Sequence, residues 1–211
     1  VTVNDAQPGL RERKKRATRL AMERAAVELA IRDGLDNVTV DDIAAAADVS
    51  TRTFFNYFSS KDDALVGSGP PRPGPQAWQR FVDGGPSGDL ITDLKVFFSS
   101  AMDEDPREVR VFLEDMHRRK ELLEREPQLM PQVMAVFAAM ERFVTESVAD
   151  RLGDDPDDVR PQAIAMIATG TARLAMRRAA AEPHSGAQEF TSLFEETFAT
   201  VRAAFSTADG P

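Results

Sequence analysis

Cysteine is absent from these 211 residues, and histidine occurs only twice, tryptophan and tyrosine once each. Without cysteine there is no disulfide framework, no thiolate zinc site and no cysteine nucleophile. Long apolar runs are missing too: no segment approaches the ~18 consecutive apolar residues of a transmembrane helix, and the first residues carry no hydrophobic signal core. The expectation is a cytoplasmic protein without a membrane partner. Catalytic parts are equally scarce. No glycine-rich loop leads into a helix, because Gly67-Ser68-Gly69 is followed by two prolines; no nucleophile stands in a pattern beside a base. The acidic turn Asp154-Asp155-Pro156-Asp157-Asp158 lacks the spacing and glycine of a calcium loop and suits a helix N-terminus. The chain reads as a non-enzyme with no cofactor and no metal.

What charge there is lies unevenly. The whole chain carries a net −9, yet Leu10–Arg24, with Arg11, Lys14 and Lys15 among its basic residues, carries +5. Residues 1–61 sum to +1, leaving −10 for the rest. Such asymmetry points to a nucleic-acid partner for the N-terminal part only, and an acidic remainder discourages non-specific wrapping.

Behind the basic stretch, Thr39–Lys61 reads as two short helices joined by a tight turn. Thr39 is an N-cap, Asp41 and Asp42 occupy the first turn, and Val40, Ile43, Ala44 and Ala47 form an apolar face. Asp48-Val49-Ser50 interrupts the pattern, and Ser50 caps a second helix expected from about Thr51 to Phe58. Phe54 and Phe58 share its inner face, while Thr51, Arg52, Thr53, Asn56 and Tyr57 fall mostly on the other. That outer face holds a cation and hydrogen-bonding groups but no carboxylate, so it can enter a DNA major groove without repelling phosphates. The pair is a helix-turn-helix.

The stretch over roughly residues 10–66 resembles the N-terminal DNA-binding domain of the TetR/AcrR repressors. The resemblance rests on the basic lead-in, the core face Ala25, Ala26 and Leu29, Gly34, the Thr39-Val40 opening, Ile43-Ala44, the Val49-Ser50 turn and an aromatic run ending in Phe58-x-x-Lys61. It implies an all-α fold: a three-helix DNA head followed by a helical domain that dimerises and binds a small molecule. It further implies a phosphate contact from Thr39, base reading by Thr51, Arg52 and Thr53 after Ser50, an aromatic-polar middle at Phe55, Asn56 and Tyr57, and backbone anchoring by Lys61. Two positions depart from the family pattern. Phe55 stands where tyrosine is common, and Tyr57 stands where histidine is common, so the operator sequence stays open.

The rest divides by composition. A disordered arm is expected at residues 1–9 and a disordered tail at 207–211. The head spans 10–66, a Gly/Pro-rich linker loop or lid covers 67–89, and a helical effector-binding and dimerisation domain covers 90–206. Within that domain, stripes at helical spacing place Phe97, Phe98, Met102, Phe112, Met116, Met134, Phe137, Met140 and Met166 as candidate pocket walls, with His117 and Arg173 as polar candidates. The same stripes also suit plain core. Residues 161–180 are rich in small side chains, and the final helix carries Phe190, Phe194, Phe198 and Phe205. Those two helices are the expected homodimer surface, because the phenylalanines would be exposed in a monomer. The functional expectation is a dimeric, ligand-responsive repressor that binds a palindromic double-stranded operator and is released by an apolar or amphipathic effector. A helical interaction module without ligand response and a DNA-binding activator are the alternatives.

Overall fold

The computed structural model describes residues 10–101, 106–181 and 187–206. The arm and tail expected at the two ends, and Met102, lie outside these residues. All regular structure among them is helical: α1 (Leu10–Asp33), α2 (Val40–Ala46), α3 (Thr51–Phe55), α4 (Lys61–Val66), α5 (Pro75–Val82), α6 (Leu90–Ser99), α7 (Pro106–Arg125), α8 (Met130–Leu152), α9 (Val159–Ala181) and α10 (Ala187–Ser206), with 3-10 turns at Leu35–Asn37 and Pro127–Leu129. The helices group into two compact units.

The first unit holds the chain up to Ser68 together with Arg118–Val133. Met22, Ala25, Ala26 and Ala30 line one side of α1 and are buried, as are Ile43 and Ala44 of α2, Phe54 and Phe58 around α3, and Ala64 and Leu65 of α4. Helices of five to seven residues are marginal alone. Here each has an N-cap: Thr39 forms a full capping box with Asp42, Ser50 accepts from the Thr53 N–H, and Ser60 accepts from the Asp63 N–H. Caps of this kind contribute about 1 kcal/mol each. The second helix of the pair is shorter than expected, ending at Phe55, but Phe58 still turns inward and packs on Phe54 with ring centroids 5.3 Å apart.

The second unit holds Gly69–His117 and the chain from Met134 onward. Its core joins Phe81, Leu94, Phe97, Val144 and Val148 to the alanine face of α9 and to Phe190, Phe194 and Phe198 of α10. Those three phenylalanines are at most 5 % exposed. The expectation that they form an open dimer surface is therefore corrected: Ala165, Ala168, Ala172 and Ala175 are small enough for α10 to approach α9 closely, and the phenylalanine ladder fills its own unit.

The stretch expected as a linker loop is corrected as well. Residues 75–82 form α5, opened by Pro75 at a position where a missing N–H costs nothing. Phe81 is buried and stacks on Phe97 at 4.7 Å. The following turn is locked by a buried ion pair: Arg151 Nη2 lies 2.7 Å from Asp93 Oδ2 and also donates to the Gly84 carbonyl. A β-carbon at Gly85 would collide with the Asp93 carboxylate, and its φ is +70°, so glycine is required there. Ser87 completes the shell by donating from its N–H and hydroxyl to Asp93. Burial pushes the Asp93 carboxyl up, but the Ser87 and Arg151 hydrogen bonds outweigh it and hold the group below its ordinary value.

Candidate nucleic-acid interface and effector cleft

The turn between α2 and α3 is tight because Asp48 takes a left-handed conformation (φ 54°) and the Val49 N–H returns to the Ala44 carbonyl at 2.9 Å. Aspartate tolerates that region better than most side chains. Hydrogen bonds from the Thr39 hydroxyl and N–H hold the Asp42 carboxyl below its ordinary value, keeping a negative charge at the start of α2, where the helix dipole favours it.

The buried faces of α2 and α3 leave a defined outer surface. Ser50, Arg52, Phe55 and Asn56 are exposed, and Thr51, Thr53 and Tyr57 are half-buried beside them. The Thr51 hydroxyl donates to Asp41 at 2.5 Å and thereby ties the start of α3 to α2. The Thr53 and Ser50 hydroxyls share a hydrogen bond of 2.8 Å. Arg52 projects without an internal tie among the described residues, and such a guanidinium can give a bidentate pair to guanine worth about 1–3 kcal/mol of discrimination. Phe55 is 56 % exposed, an apolar group on a face otherwise polar; methyl groups of thymine are the base feature that suits it. Thr39, Arg11, Lys14 and Lys15 are all exposed.

Lys61 is placed differently from a free phosphate anchor. Its Nζ donates to the carbonyls of Leu35 (2.8 Å) and Val38 (3.0 Å), so two of three donors close the 3-10 turn and one is left over. Sequence reasoning counted Arg19 only as a charge, whereas the structure makes it a positioning residue. Its guanidinium lies 4.4 Å from the centre of the Phe58 ring and donates to the Tyr57 carbonyl, to Ser68 and to Glu23. The i, i+4 spacing of Arg19 and Glu23 was the available signal; that Glu23 would be buried was not visible in it.

In the second unit an open cleft spans about 550 Å³, the solvent at its mouth included. Of the nine expected wall residues it gathers Phe98, Phe137 and Met140, and it adds Met176, Phe194 and the Pro70-Pro71 strap. Phe97, Phe112 and Met116 instead belong to or pack against the core. Met134 and Met166 lie 46 % and 61 % exposed, away from the cleft, since inward positions on their helices are taken by Met140, Ala165 and Ala168. Arg173 lines the cleft; His117 does not, its Nδ1 donating to the Leu113 carbonyl at 2.7 Å.

Two family models match the chain. The model described as bacterial regulatory proteins, tetR family, matches residues 24–66, and the MftR C-terminal domain model matches residues 99–206. The chain belongs to the TetR family of bacterial transcriptional regulators. As a TetR-family protein it is an all-α, DNA-binding regulator of transcription rather than an enzyme. The HTH-type transcriptional regulator TcmR of Streptomyces glaucescens is 28 % identical over 201 residues, covering 92 % of this chain and 87 % of that protein. The protein named as a mycofactocin biosynthesis transcriptional regulator, MftR of Mycobacterium tuberculosis, is 26 % identical over 168 residues, covering 76 % and 78 %. The solved structure of the fatty acid degradation regulator FadR from Bacillus halodurans is 16 % identical, covers 86 % of this chain and 93 % of that one, and superposes with a TM-score of 0.45. No described helix of this TetR-family chain is long and apolar enough to cross a membrane.

Proposed function

We propose that this regulator is a homodimeric repressor that reads a palindromic operator through Ser50–Tyr57 and is released when a small amphipathic effector fills the cleft of its second unit. The observation that carries the reading is the outer face of α3: polar apart from Phe55, free of carboxylates and led by an exposed Arg52. Arg11, Lys14 and Lys15, all exposed, are assigned to phosphates, as is the spare donor of Lys61.

The dimer surface is assigned to α9 in place of the α10 phenylalanines. Val159, Ala163, Met166, Ile167, Gly170 and Leu174 recur at steps of three and four along one side, and the large ones among them are 40–81 % exposed. Ala163 and Gly170 leave room for a second helix to approach, and such a stripe is self-complementary about a two-fold axis. Two heads held about 34–36 Å apart fit successive major grooves of a palindrome, so an effector that favours another spacing weakens operator binding.

Fluorescence-anisotropy titration of the DNA flanking the protein's own gene, across a salt series, tests the reading. Tight binding to one palindrome with an even number of protomers per site and a steep salt slope supports it. Equal affinity for the palindrome and for scrambled DNA of the same length, from protein shown free of bound small molecules by mass spectrometry, overturns operator recognition at that site.

A further inference from the structure

The polar groups of the cleft are few and of defined sense. Arg173 is its cation and can only donate; its guanidinium lies 5.5 Å from the centre of the Phe137 ring. A guanidinium held over a ring face by cation–π attraction keeps N–H groups free, and these can meet a planar anion two bonds at a time. Glu141, one turn beyond Phe137 on α8, supplies a carboxylate that can only accept. The Thr169 hydroxyl spends its hydrogen on the Ala165 carbonyl at 2.7 Å, so towards the cleft it also only accepts. Neither the Arg173 nor the Glu141 side chain has a hydrogen bond or ion pair among the described residues, whereas Arg151, Arg178 and Arg202 in the same unit pair with Asp93, Glu196 and Asp89.

Around these groups the walls are rings and thioethers, and one wall is the strap that follows α4. Gly69 (φ +72°) sits so close to Val136 that a β-carbon would collide with its side chain, and Arg72 lies 5.4 Å from the centre of the Phe143 ring. The strap is therefore seated on α8 on both sides of Pro70-Pro71, and those two prolines form a firm wall.

We propose that the cleft selects an amphipathic monoanion: a ring-bearing apolar body whose acidic oxygens pair with Arg173 and whose neighbouring N–H or O–H donor meets Glu141 and Thr169. The proposal deepens the assignment of this cleft as the effector site and rests on it. A plain hydrocarbon would give the Arg173 and Glu141 charges no partner, and a second negative charge on the ligand would be repelled by Glu141.

Two fluorescent probes separate the terms. 1-Anilinonaphthalene-8-sulfonate carries rings, an N–H and a sulfonate; N-phenyl-1-naphthylamine is the same framework without the sulfonate. Both are titrated into the full chain and into Arg173→Met and Thr169→Trp, the second filling the cleft. The expected result is that Arg173→Met weakens the sulfonate about tenfold and leaves the amine within about twofold, the loss of one charge-assisted pair, while Thr169→Trp weakens both. If Thr169→Trp weakens both but Arg173→Met leaves the sulfonate unchanged, the cleft remains a ligand site and the monoanion proposal fails. If neither variant affects either probe, the cleft assignment itself fails. Should Thr169→Trp lower the melting transition, Met176→Trp fills the cleft from the same helix and decides between the same outcomes.

Discussion

The Glu23 carboxylate lies 2.6 Å from Nη2 of Arg119, and Glu23 is only 1 % exposed. Both belong to the first unit, and the pair joins the last part of α7 to the middle of α1. Arg118 reinforces it by pairing with Glu28 at 2.6 Å, and Arg125 donates to the Ile31 carbonyl. Through Glu23 the same anion holds Arg19, which in turn holds the Tyr57 carbonyl just after α3. Gly67 closes over the Arg119 guanidinium, leaving no room for a β-carbon.

Removing one partner of a buried pair leaves a charge that water no longer solvates, which costs about 3–5 kcal/mol. Arg119→Met is expected to lower urea-unfolding stability towards that range, less whatever Arg19 retains. Glu23→Leu combined with Arg119→Met is expected to recover part of the loss. Urea titrations followed by circular dichroism on the two single variants and the double variant read the coupling directly; strict additivity would show that the pair is not a unit.

Arg52→Ala should reduce the preference for the operator over single-base variants by about 1–3 kcal/mol at one base pair. It should leave the oligomeric state unchanged, because Arg52 is exposed and unattached within its own unit. Lys14→Ala should instead weaken binding to every sequence alike and reduce the salt slope by about one. Anisotropy titrations on an operator panel at several salt concentrations separate the two. Swapped behaviour would exchange base readout and phosphate contact between them.

Much of the head was legible because its signals are local. A threonine cap followed three residues later by aspartate, a serine cap, and phenylalanines four apart each act within one turn of helix. The second unit was less legible because its decisive facts are pairings across distant chain positions. Phe194 and Met166 both sit on apolar stripes, and nothing in either stripe says which one the core of the unit will bury. Small alanines on α9 proved to face α10, and that leaves Met166 and Ile167 outside. The Gly/Pro-rich stretch misled for a related reason: Gly85 is required by the Asp93 carboxylate, a residue eight positions on, and not by chain flexibility.

The Asp93–Arg151 pair makes stability depend on acid. The folded-state carboxyl titrates below the ordinary aspartate value of about 3.9, so the unfolded chain takes up the proton first as pH falls. The stabilisation is therefore complete at neutral pH, begins to fade near the unfolded value and is lost as pH passes through the lower folded value. Asp93→Asn should be less stable at pH 7, and its deficit should shrink between about pH 4 and the acid limit. Urea midpoints measured from pH 7 downward for both proteins check the sign. A deficit that grows on acidification would mean that burial wins at this carboxyl.

Under the proposed dimer, α9 and α10 respond oppositely to added charge. Phe194→Glu would place a charge in the core at a side chain 5 % exposed, so the second unit should lose its cooperative unfolding, a cost beyond about 3 kcal/mol. Met166→Glu with Ile167→Glu would place two charges on a face already open to solvent, and the single chain should fold normally. Light scattering and circular dichroism on both variants then read different things. A folded monomer from the α9 variant, with operator affinity reduced to that of one head, supports α9 as the two-fold surface. A folded dimer from it would move the interface to another face of the unit, and the apolar stripe from Val159 to Leu174 would then need a different partner.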